Sequence, residues 1–108
     1  MGDNKLQINE LFRLLRNRPK MLISGDIDSI LTYITFFEGF FLSYQISKNI
    51  NLEREISKWY QNHVETKAPN MYWFAHFKLI NKNETDKEKI SILLNDLEFF
   101  FNSNTKIL

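Results

Sequence analysis

Glu38, His63 and His76 are the side chains of this sequence best suited to moving a proton. Glu38 stands in FFEGFF, residues 36–41, beside Gly39 and among four phenylalanines. A carboxylate stripped of water favours its protonated form, and a raised pKa suits a general base. That chemistry also needs a cleft and a second catalytic group, and the pattern supplies neither. The two histidines belong to different helical segments and form no HExxH pair. Glu38 or Glu65 could complete a metal site with them, but the spacing gives no support. A glycine-rich phosphate loop and a GxSxG elbow are absent, and the chain has no cysteine to act as nucleophile, disulfide or thiolate ligand. The expectation is a non-enzymatic protein with no cofactor and no metal. Glu38 should then be neutralised inside the fold by a bidentate arginine from Arg13, Arg16 or Arg18, and the histidines should be partly buried and hydrogen-bonded.

Charge and rings could instead serve recognition. The chain has 108 residues, a formal charge of +1 and 25% charged residues. This balance fits a globular domain rather than a strongly basic nucleic-acid binder. Lys5, Arg13, Arg16, Arg18 and Lys20 are offset by Asp3, Glu10, Asp26 and Asp28, so direct nucleic-acid binding is not expected. The segment NMYWFAHF has more rings than one buried face needs. It serves either core packing or an interface in which Tyr72, Trp73 and His76 are anchors. Tyr60 is a further aromatic candidate. Glu53, Glu55 and Glu65 nearby would complement a basic partner.

Five helical segments would position these groups. Residues 4–17 place Ile8, Leu11, Phe12 and Leu15 on one face, with Asn4 and Gln7 as a capping box. Pro19 ends that helix, because the residue before proline avoids the α region. Gly25 marks a turn, and Asp26 or Asp28 caps the next helix, which runs to about Lys48. Its apolar face holds Ile30, Leu31, Ile34, Phe37, Phe41 and Tyr44, with Glu38 inside it. Thr32, Thr35, Gly39, Ser43 and Ser47 form a small-residue stripe against which another backbone could pack. Residues 27–46 resemble a membrane span, but Asp28, Glu38, Gln45 and the hydroxyls offset most of the insertion energy, so a buried helix is expected instead. Asn51 caps a third helix, to about Glu65, with Leu52, Ile56, Trp59, Tyr60 and His63 inward. TKAPN is a loop, and Asn70 caps a short fourth helix. Thr85 and Glu88 make a capping box for the last, whose apolar face is Ile90, Leu93, Leu94, Leu97, Phe100 and Phe101.

Three blocks together resemble a known family. RNRPKMLISGDIDSILTYITFFEGFFLSY is similar to its Arg-Pro-x-Met, turn and Phe-x-x-Gly-Phe/Tyr helix. WYQNHVETKAPNMYWFAHFKLI resembles its amphipathic helix followed by a Trp-containing one, and DKEKISILLNDLEFFF its final helix. The family is that of small all-helical immunity proteins of bacterial polymorphic toxin and contact-dependent growth inhibition systems. The resemblance implies a cytoplasmic protein that binds a cognate toxin domain, nucleases such as RNases included, and blocks its active site or substrate access. Against a basic nuclease cleft, Asp26, Asp28, Glu53, Glu55 and Glu65 are the expected contributors.

The expected architecture is thus all-α, one domain over residues 1–108, with about five helices around a central apolar helix at about 26–48. A helical scaffold or regulatory subunit unrelated to toxins is the alternative. A small hydrolase using Glu38 and a histidine is the third possibility.

Overall fold

The computed structural model describes residues 2–65, 67, 68 and 70–104, with side chains from residue 7 onward. The described residues form five α-helices and no strand. They are α1 (Gly2–Asn17), α2 (Ile30–Lys48), α3 (Leu52–His63), α4 (Trp73–Ile80) and α5 (Asp86–Ser103), with a short 3-10 turn at Pro19–Met21. Contacts divide the chain into two compact units. The first holds residues 1–33 and 85–108, and the second holds 34–84. The boundary falls within α2.

In the first unit α1 packs on α5. Ile8, Phe12 and Leu15 recur at helical spacing and are buried, as are Leu93, Leu94, Leu97, Phe100 and Phe101. Phe12 meets Phe101 at 6.2 Å between ring centres. Each such side chain contributes about 1.5–3 kcal/mol on burial. α1 begins at Gly2, two residues before the expected start, so Asn4 is within the helix; its side chain, like those of Asp3 and Lys5, lies outside the described residues. The helix ends at Asn17, before Pro19, as the proline rule requires. Gly25 takes φ of +116°, a conformation that a side chain would strain.

The start of α2 departs from the sequence reading. Neither Asp26 nor Asp28 caps it. Asp26 Oδ1 instead accepts from the Asp28 amide at 2.9 Å, a local turn before the helix. The helix begins at Ile30, whose amide donates to Asp86 Oδ2 at 3.1 Å. One acidic residue in the first turn of α5 therefore serves a helix 56 positions away. α5 itself opens on the expected Thr85–Glu88 capping box, with both reciprocal bonds formed.

In the second unit Phe37 and Phe41 of α2 are buried, and Phe41 meets Trp73 edge-on at 5.9 Å. Leu52, Ile56 and Tyr60 form the inner face of α3, capped by Asn51 Oδ1 on the Arg54 amide. Trp59 is half-buried and stacks on the exposed His63. α2 is not packed nearly all round. Thr35, Gly39, Ser43 and Ser47 are exposed, and nothing lies within 4 Å of a methyl built on Gly39. The small-residue stripe is a solvent face, not a close contact between backbones. α2 ends at Lys48, followed by Asn49 with φ of +57°, the left-handed cap that asparagine tolerates.

The loop before α4 is held by two side chains, Gln61 and Lys67. Gln61 Oε1 accepts from the Ala68 amide at 2.9 Å, and Gln61 Nε2 donates to the Ala68 carbonyl at 2.5 Å. Lys67 donates to the Val64 carbonyl at 3.0 Å, near the end of α3. Thr66 and Pro69, in the expected TKAPN loop, lie outside the described residues. Asn70 does not cap α4. The helix starts at Trp73, whose amide donates to Ser57 Oγ of α3 at 3.0 Å.

Candidate partner-binding surface

Three side chains far apart in sequence converge in the second unit. α2 supplies Glu38, the first turn of α3 supplies Glu53, and Tyr72 immediately precedes α4. Burial of Trp73 and the Ser57 bond to its amide fix the chain at this point. Tyr72 is thereby held at the surface, 37% exposed. Its hydroxyl donates to Glu38 Oε2 at 3.4 Å, a long bond, and also interacts with the Glu53 carboxylate. A phenol has one proton, so it can satisfy only one carboxylate at a time. Burial, then the hydrogen bond and charge of Glu53, then the charge of Glu38 raise the Tyr72 pKa far above the usual phenol value. The indole N–H of Trp73 opposes the shift and has no hydrogen-bond partner of normal geometry.

Apolar side chains continue this surface. Leu42 and Ile46 follow Glu38 at one and two turns along α2, and are 58% and 77% exposed. Large exposed aliphatic groups thus stand beside two carboxylates and a tyrosine. Among the described residues no group of three or more histidine, cysteine, aspartate or glutamate side chains could hold a metal ion. No described helix is long and apolar enough to cross a membrane.

No protein-family model, curated protein or solved structure matches this chain.

Several expected site residues lie elsewhere. The arginine anticipated beside Glu38 is a misassignment. Arg13 pairs with Glu10 one turn away on α1. Arg16 holds Glu98 at 2.7 Å and Asn95 at 2.9 Å, both on α5. Arg18 is exposed where the chain leaves α1. Glu38 does not need a guanidinium because it is only half-buried: the α2 face beside it is open to solvent. Its described hydrogen bond is to the Tyr72 hydroxyl rather than to a histidine.

Trp73, His76 and Tyr60 are not surface anchors. All three are buried, Tyr60 and His76 meeting edge to face at 5.0 Å. The two Ala68 bonds orient the Gln61 amide, so its remaining N–H faces His76 Nδ1 at 3.2 Å. With the amide in this orientation, Nδ1 is the acceptor of the contact. His63 is exposed rather than partly buried. Glu65, Asp26 and Asp28 are exposed, and Glu53 and Glu55 half-buried. Leu42 and Ile46 were missed because α2 reads as apolar on every side but the small stripe. Their signal was positional: both flank that stripe, and the stripe is the solvent face.

Proposed function

We propose that this protein is an immunity protein, which binds a cognate toxin domain and blocks its active site or substrate access. The family resemblance of the three sequence blocks motivates the reading. The observation that carries it is the convergence of Glu38, Glu53 and Tyr72 beside exposed Leu42 and Ile46. Paired carboxylates attract a basic nuclease surface and speed encounter, and the aliphatic and aromatic groups supply the desolvated centre of the contact. Glu55, on the same first turn of α3, adds to the negative rim. Neutralisation by binding uses no catalytic group and no cofactor, and it takes place in the cytoplasm, where an RNase toxin meets its substrate.

A growth assay tests this. The toxin domain encoded beside this gene is expressed with and without the protein. Survival is expected with it, and loss of protection in the Glu38→Gln/Glu53→Gln double variant. Unchanged killing in the presence of folded wild-type protein rejects the reading. The same surface would serve a scaffold or regulatory subunit, in which case no toxin gene adjoins this one.

A further inference from the structure

The first unit contains a cavity of about 180 Å³ that the binding surface above does not use. Leu15, Ile90 and Leu94 give it an apolar floor, and Arg16, Lys87, Ser91 and Tyr33 carry its polar atoms. Its lining holds two cations and no carboxylate. We propose that this cavity binds a small oxyanion, a carboxylate or phosphate, carried on a single apolar ring or a short branched chain.

Four features support the assignment. Arg16 is held in place by Glu98 and Asn95, which occupy one N–H on each terminal nitrogen and leave the rest of its five donors for a ligand. Lys87 and Ser91 stand one turn apart on the exposed edge of α5, so ammonium and hydroxyl are close enough to share one anion. Tyr33 is only 3% exposed as a residue and lines the cavity beside these groups. Burial and the charge of Asp28 raise its pKa, which keeps the hydroxyl protonated and able to donate.

Ligand size and body follow from the same wall. Glu98 pairs with Arg16, and the charge of Asp28 acts on Tyr33, so these groups alone hold a bare anion weakly. The aliphatic floor must contribute. A cavity of roughly 150 Å³ accepts benzene, so this one has room for one ring and its charged group.

The test is an NMR titration of the full chain with benzoate, phenyl phosphate and the neutral analogue benzyl alcohol. Saturable shifts at Tyr33, Ser91 and Leu94 are expected with both anions, at least about tenfold tighter than with benzyl alcohol, as charge-assisted bonds imply. The tighter of the two anions identifies the headgroup. Lys87 is exposed, so Lys87→Ala should fold normally and weaken both anions severalfold; Tyr33→Phe should do the same without changing benzyl alcohol. Equal affinity for the neutral analogue, no effect of Lys87→Ala, or no saturable shift overturns the proposal.

Discussion

The two units reach stability by different routes. The first is built mainly on an aliphatic and phenylalanine seam between α1 and α5, and Tyr33 is also buried in it. The second buries Trp73, Tyr60, Phe77 and His76, and ties its loop and helix start with single polar side chains, Gln61 and Ser57. Apolar burial depends on area and tolerates small shifts. Hydrogen bonds depend on direction, and a broken one leaves a desolvated group behind. The second unit should therefore be more sensitive to polar substitutions, and the first mainly to lost volume.

Loss of a large ring is the strongest perturbation in either unit. Trp73→Ala and Phe101→Ala should each cost about 3–5 kcal/mol in urea unfolding. The comparison sharpens with Trp73→Phe, which also removes the unpartnered indole N–H and should recover most of the loss. Gln61→Ala comes next. It deletes both Ala68 bonds and the His76 contact, for about 1–3 kcal/mol, and should speed hydrogen exchange of the Ala68 amide while leaving α1 and α5 protected. Equal acceleration in both units would contradict the contrast drawn between them.

Helix starts give a smaller and more pointed test. Ser57→Ala and Thr85→Ala should each cost about 1 kcal/mol by thermal melting, although one cap comes from a neighbouring helix and the other from the adjacent residue. Tyr72 adds a pH signature. Its folded pKa is raised, so below about pH 10 both states keep the proton; above that the unfolded chain loses it first and stability falls as pH rises. Tyr72→Phe should flatten that decline, leaving a residual slope from Tyr33 and Tyr44, which are also raised. Glu38→Gln is expected to change stability least, by under about 0.5 kcal/mol, because its carboxylate meets a long hydroxyl bond and solvent. A loss of several kcal/mol would restore the buried ion pair that the sequence suggested.

The caps show what the sequence could and could not reveal. Asn51 and Thr85 were legible because donor and acceptor are three residues apart. Asp86 on Ile30 and Ser57 on Trp73 were not, since each joins elements whose packing must be known first. The apolar faces of α1, α3 and α5 followed from period alone, whereas α2 did not. Its ring-rich side and its leucines share one hydropathy, so the pattern could not separate the buried Phe37 and Phe41 from the exposed Leu42 and Ile46. Glu38 was placed by that ambiguous face, and its arginine partner was inferred from proximity along the chain. Its meeting with Tyr72 and Glu53 needed the fold.

If a toxin domain is encoded beside this gene, its calorimetric titration with wild-type protein and with Glu38→Gln/Glu53→Gln addresses the proposed surface most directly. Salt-dependent binding by the wild type, weakened at least about tenfold in a double variant of unchanged fold, is the predicted result. Equal affinity of the two proteins would place the contact elsewhere, and no binding by folded wild type would contradict the immunity reading itself.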